Sequence, residues 1–325
     1  MTPQNIPEQL TKYLTDAHSI EEQALAQMQA APRISRDPEI AAAFSAHLHE
    51  TEDHERMVRE SLQARGAAPA RVKDLVGFLT GKGFVAFARS QPDTTGKLVA
   101  HAFSYEHMEL AGYELLELVA ERADDDRAAE MARRIGAQER AMAERLESLF
   151  DRAAEASLRE LGREDLDEQL VKYLADAHAI EAQSLRLLEK ARELAGTPAL
   201  ASAYEQHRTE TEQHEQVVAA RLEALGASPS RLKDAVLSLG ALNWSAFFRA
   251  QPDTPAKLAA FAYAFEYLEI ASYELLRRVA DHAADGETAL LASRILSDER
   301  HAAEAVHSLL EPALDASLHA QGVAA

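Results

Sequence analysis

Glutamate stands in this sequence where helical proteins usually place apolar side chains. At steps of three and four, the spacing of one helical face, residues 10–28 give Leu10, Leu14, Ala17, Glu21, Ala24 and Met28. Residues 99–120 give Val99, Ala102, Glu106, Glu109, Tyr113, Leu116 and Ala120. Residues 128–149 give Ala128, Ala132, Ile135, Glu139, Met142, Leu146 and Leu149. Between them, 44–62 carries Phe44, His47, Glu50 with Thr51, His54, Met57 with Val58, and Leu62. Each stripe is apolar at its ends and polar in its middle. Five carboxylates, Glu21, Glu50, Glu106, Glu109 and Glu139, would therefore meet in one core. Buried charge of this kind costs several kcal/mol per group unless it is compensated, and no Arg or Lys stands on the stripes. Protons could relieve part of the charge, and two divalent cations would set +4 against −5. Oxygen-rich donors with one or two imidazoles suit iron or manganese, two ions per core at most. Glu alone on some helices and Glu with His on others is the pattern of a carboxylate-bridged di-metal centre.

The pattern is written twice. Residues 8–23 and 168–183 agree at 12 of 16 positions, and the shift of 160 continues without a gap. The second set is Glu181, Glu210, His214, Glu266, Glu269 and Glu299, with His207 matching His47. A period this long marks a tandem domain rather than a solenoid unit. The expected domains are 1–160 and 161–325, joined by a short or helical connector. Ala, Leu, Glu and Arg dominate each half, and no alternating apolar/polar run survives inspection. Helices are expected over roughly 6–30, 38–65, 94–122 and 126–155. Asp37-Pro38 opens the second by capping, Gly66 closes it, and Asp124-Asp125-Asp126 makes the last turn. Short links join the first and last pairs, while a long link, with a short apolar helix near 71–90, joins the middle pair. That is a bundle with one crossover connection, of which ferritin-like folds are the main example. The predicted fold class is all-α: two ferritin-like four-helix bundles, each with a crossover carrying a short helix.

Composition removes other chemistries. The chain of 325 residues has no cysteine, so disulfides, Cys-ligated metals and Cys nucleophiles are excluded. A formal net charge of −20 argues against binding nucleic acid or an anionic membrane. No apolar run approaches the ~20 residues of a membrane span, and Met1–Asn5 lacks the basic and apolar regions of a secretory signal. A soluble, cytoplasmic protein is expected.

Several segments carry a family resemblance. They are Ala17-His18-Ser19-Ile20-Glu21, His49-Glu50-Thr51, Tyr105-Glu106-His107-Met108-Glu109-Leu110-Ala111-Gly112-Tyr113 and Gln138-Glu139-Arg140, with their second copies. Through these, each half resembles the bacterial ferritin-like, rubrerythrin-related stress-protein family. The resemblance implies a four-helix bundle with a di-metal centre. Two features depart from a rubrerythrin-type site. Helix two reads Glu50-x-x-x-His54, one residue longer than Glu-x-x-His, although both residues still share a face. Helix four has Met142, and in the second copy Ala302, where a histidine would follow Glu139 or Glu299. These departures leave a single or weakly held metal as an open alternative.

The expected ligands are thus Glu21, Glu50, His54, Glu106, Glu109 and Glu139, and Glu181, Glu210, His214, Glu266, Glu269 and Glu299. Glu109 or Glu50 would bridge the ions. His18 and His47 would orient carboxylates, and the hydroxyls of Tyr113 and Tyr273 would lie near the site. Glu52, Glu114 and Glu144, with Glu212, Glu274 and Glu304, would be solvated or paired across helices. The apolar crossover helices, including Phe84 and Trp244, would join the bundles as an intramolecular pseudo-dimer, with further self-association open. The expected function is iron or manganese binding with oxidation of Fe²⁺ by O₂ or peroxide in stress protection, a ferroxidase- or peroxidase-type activity. The alternative is a metal-free or single-metal helical scaffold or binding module that retains the fold.

Overall fold

The computed structural model describes residues 5–67, 94–159, 161–227 and 253–323. The crossover segments, with the expected short helices and pseudo-dimer surface, lie outside the described residues. The chain divides into two compact units, residues 1–157 with 321–325 and residues 158–320. Among the described residues every regular element is a helix. No helix among them is long and apolar enough to cross a membrane.

Unit one contains α1 (Ile6–Ile34), α2 (Pro38–Ala64), α3 (Thr94–Arg122), α4 (Asp126–Ser148) and α5 (Phe150–Leu158). Each start has a local cause. The Asn5 side chain accepts from the Glu8 amide at 2.9 Å, and Asp125 accepts from Ala128 at 3.0 Å. Asp37 caps α2 through Glu39 N at 2.9 Å and Ile40 N at 3.2 Å, and Arg152 of α5 clamps the same carboxylate from 3.1 Å. Removal of such a cap costs about 1 kcal/mol.

Two helix ends differ from the sequence reading. α1 continues through Pro32 to Ile34. Pro32 has no amide to donate to the preceding turn, but the extension that carries it buries Ala31 and Ile34. The expected fourth helix is two helices, broken at Leu149, whose amide bonds Leu146 O at 3.0 Å. The break lets both Leu149 and Phe150 face the core, where Phe150 meets Phe103 edge to face at 5.4 Å between ring centres. In packing, α1 pairs with α2 and α3, and α4 pairs with α3 and α2, which closes the four long helices into a ring.

Unit two repeats this with α6 (Arg163–Leu194), α7 (Pro198–Ala224), α8 (Thr254–His282), α9 (Gly286–His307) and α10 (Leu310–Ala320). Its ring runs α6, α7, α9, α8, with α10 packed on α8. Leu14, Phe44, Leu62, Leu98, Leu116, Ile135 and Leu146 fill the apolar ends of unit one. They hold the helices at fixed register, and the polar middle of each stripe is thereby forced inward.

Candidate metal centre

Four helices build the middle layer of unit one. α1 supplies Glu21, α2 His47 and His54, α3 Glu106 and Glu109, and α4 Glu139; none is more than 1% exposed. Glu139 stands between two groups of donors. Its Oε1 lies 2.7 Å from His54 Nδ1, and its Oε2 lies 3.2 Å from His47 Nε2. His47 Nε2 is also 3.3 Å from Glu106 Oε2, and His54 Nδ1 is 3.9 Å from Glu21 Oε1. Donor atoms of Glu21, His54 and Glu139 fall within 4.8 Å of one another, as do those of His47, Glu106 and Glu139.

Unit two has the same plan. His214 Nδ1 lies 2.8 Å from Glu299 Oε1 and 3.9 Å from Glu181 Oε1. His207 Nε2 lies 2.9 Å from Glu266 Oε2 and 3.9 Å from Glu299 Oε2. Here Glu181, His214 and Glu299 form one group, and His207, Glu266, Glu269 and Glu299 form the other. Glu109, the counterpart of Glu269, is buried beside the groups of unit one without belonging to either.

The donors fit a divalent cation. Two ligands about 2.1 Å from one ion and at right angles to each other are about 3.0 Å apart, close to the shorter contacts here. Six carboxylate oxygens of unit one are buried without an aligned hydrogen-bond partner: Glu21 Oε2, Glu109 Oε1 and both oxygens of Glu106 and Glu139. His47 Nε2 and His54 Nδ1 are close to carboxylates but aligned with none. Each unmet buried group costs about 1–3 kcal/mol, and a cation between them would satisfy several at once. Four buried glutamates and two imidazoles balance two divalent ions without excess charge.

Protons carry the balance in the metal-free protein. Burial, reinforced by Glu139, raises the Glu21 pKa to about 8. Burial also raises Glu106 to about 7 despite His47. Glu109 rises well above the carboxylate range through burial and its negative neighbours. For Glu139, burial is outweighed by the close imidazoles of His47 and His54, and its pKa is lowered. Burial opposes charge on both imidazoles, but the surrounding carboxylates prevail and both pKa values rise. In unit two the same competition raises His207 to about 10 and His214 to about 9.

Outer contacts fix the donors. Tyr113 donates to Glu21 Oε1, and Tyr273 to Glu181 Oε1, which places both hydroxyls at the site. His47 Nδ1 meets Glu50 Oε2 at 3.0 Å, and His54 Nε2 meets Gln138 Oε1 at 3.2 Å. Glu50 is not in the buried layer: its side chain is 46% exposed, and that of Glu210 is 44% exposed. The inward stripe of α2 passes through His47, Thr51, His54 and Val58, which leaves position 50 on the flank. His47 and His207 take the inward positions instead. Their spacing of seven from His54 and His214 is the sequence signal that both imidazoles share one face. His18 and His178 turn away from the layer and pair with Glu55 and Glu215 at 3.0 and 2.8 Å. Glu274 is buried among Arg277, Arg278 and Arg300, a structural ion pair spanning α8 and α9.

These features define the protein's class: a tandem chain, helical in every regular element among its described residues, whose two units each bury carboxylate–imidazole groups that could hold a metal. The chain belongs to the family described as a domain of unknown function, DUF892, whose model matches it twice, over residues 5–159 and 165–319. No solved structure matches the chain.

Proposed function

We propose that each unit is a ferritin-like four-helix bundle holding two divalent ions, iron or manganese, and that the protein oxidises Fe²⁺ with O₂ or peroxide. The observation that carries this reading is Glu139, whose two oxygens face two separate imidazole–carboxylate groups. On this reading Glu139 and Glu299 would each serve as a ligand to both ions of their unit. Glu21 with His54, and Glu106 with His47, complete the two positions of the first unit, and Glu109 closes the pair. The second imidazole that a rubrerythrin-type site takes from helix four comes here from helix two. Bound iron would supply the one-electron chemistry, two ions providing the two electrons that reduce peroxide to water with two protons.

The chain's own residues do the rest. Burial keeps bulk water from the carboxylates and strengthens their hold on charge. Tyr113 holds Glu21 in one rotamer, and Glu50 orients His47 through its other ring nitrogen. Glu21 and Glu106 must lose protons when a metal binds, so loading releases acid. The setting in stress protection rests on the family resemblance of the sequence.

Stopped-flow mixing tests this reading. Protein stripped with chelator and reloaded with Fe²⁺ without oxygen is expected to oxidise that iron, on mixing with O₂ or peroxide, at least tenfold faster than buffer does. A rate equal to the buffer's, from protein shown to have taken up iron, would remove the oxidase activity and leave metal binding alone.

A further inference from the structure

Among the places where the two centres differ are Ala24 against Ser184, Phe44 against Tyr204, and Gln138 against Asp298, each pair related by the shift of 160. Resting on the metal-binding reading above, we propose that the two centres are unequal, that the second unit fills first, and that Asp298 sets this order.

The contrast between Gln138 and Asp298 is the sharpest. His54 and His214 present the same nitrogen, Nδ1, to the shared glutamate, at 2.7 and 2.8 Å. Their outward nitrogens differ in partner. His54 Nε2 meets an amide oxygen of Gln138 at 3.2 Å, while His214 Nε2 meets a carboxylate oxygen of Asp298 at 3.3 Å. A carboxylate can only accept, so the imidazole hydrogen is held on Nε2 and the Nδ1 lone pair is left for a cation. A negative partner also makes the ring the stronger donor. An amide oxygen gives the same orientation without the charge. Loss of such an outer partner typically costs 10–100-fold in metal affinity. The Asp298 side chain is 58% exposed, so solvent screens it and the lower end of that range applies.

The other two differences act in the same direction. Ser184 donates to Glu269 Oε2 at 3.3 Å, and Glu269 belongs to a four-residue donor group. Ala24 has no hydroxyl to offer, and Glu109 stands outside both groups of unit one. Ser184 thus holds Glu269 before any ion arrives, which lowers the ordering cost of binding, and with Asp298 it outweighs the looser hold on His207, whose Nδ1 lies 3.7 Å from Glu210 where His47 Nδ1 lies 3.0 Å from Glu50. Tyr204 replaces Phe44 one turn before His207, and its buried hydroxyl has no hydrogen-bond partner. A hydrated ion nearby would give that hydroxyl a partner.

The test uses the full chain, stripped with chelator and titrated with Mn²⁺, free ion being read by electron paramagnetic resonance. Glu139→Gln confines binding to unit two, and Glu299→Gln confines it to unit one. The first background is expected to bind about tenfold more tightly than the second. Adding Asp298→Asn to the first should weaken it about tenfold, with Asp298→Glu restoring it. Adding Gln138→Asp to the second should tighten it by a similar factor, a gain that damage to the fold cannot mimic. Equal affinities in the two backgrounds, or affinities indifferent to positions 138 and 298, would overturn the proposal while leaving the centres intact. No Mn²⁺ uptake by the unmutated chain would instead remove the metal-binding reading on which it rests.

Discussion

Replacing Glu139 by glutamine is expected to halve the metal capacity of the chain, from about four divalent ions to about two. The reason is geometric. The two oxygens of Glu139 face different imidazoles, 2.7 Å from His54 Nδ1 and 3.2 Å from His47 Nε2. Glutamine keeps the shape, but it replaces one oxygen with an NH₂ group and removes the charge both positions share. Affinity at the first unit should fall by more than the roughly 100-fold that marks the upper range for outer-shell partners. Glu299 and the second unit should be untouched. Glu50→Gln is the contrasting change, because that half-exposed carboxylate meets His47 Nδ1 from outside. It should lower affinity about tenfold and leave the number of ions unchanged. Metal analysis after gel filtration reads both variants. Loss of a whole ion from Glu50→Gln, with full retention in Glu139→Gln, would reverse the two assignments.

The second large effect is on stability, and metal changes its sign. In the metal-free protein the Glu21 pKa is raised from 4.5 to about 8. A raised folded-state value contributes stability that is complete below the unfolded value and is lost as pH climbs through the folded one. His207, raised from 6.5 to about 10, and His214, raised from 6.5 to about 9, act in the same sense at higher pH. Glu139 does not offset this, since its lowered pKa gives stability that is complete above the ordinary carboxylate value and is lost only on acidification below it. These raised groups make the metal-free protein less stable as pH rises from 5 to 9, by an amount on the order of a few kcal/mol. Metal binding displaces the protons, so the loaded protein should become more stable over that range. With metal at about 1,000 times its Kd the gain is about 4 kcal/mol, or roughly 10 °C for units of this size. Calorimetry with and without chelator at several pH values checks this. A midpoint that ignores metal, or metal-free protein that gains stability as pH rises, would count against the centre.

Much of this was legible in the sequence because it rests on periodicity. Glu21, Glu106, Glu109 and Glu139 fall on stripes whose other members are apolar, and the packing of those members buries them. The duplication was legible because it needs only self-comparison. What the sequence obscured was phase within helix two. Glu50 and His54 are four apart and look like a ligand pair, yet Thr51 is the residue that continues the stripe, fully buried. One helix residue turns the side chain by about 100°, enough to move a carboxylate from core to flank. The break at Leu149 was hidden for a different reason. Leu149 and Phe150 are both apolar, and no Gly or Pro marks the point where the helix reorients to bury both. Pro32 sent the opposite false signal, since the helix proceeds through it to Ile34 and buries Ala31 and Ile34. The contrast between Gln138 and Asp298 was on the page as sequence, but it acquires meaning only when both are seen behind equivalent imidazoles.

On the proposed function, each unit would hold a pair of metal ions on either side of one shared glutamate. Anomalous X-ray scattering from crystals grown with Fe²⁺ or Mn²⁺ tests it most directly. Two peaks per unit are expected, about 3.5–4 Å apart, flanking the carboxylates of Glu139 and Glu299. Peaks confined to exposed acidic side chains, with none in the buried layer of a fully loaded crystal, would contradict it.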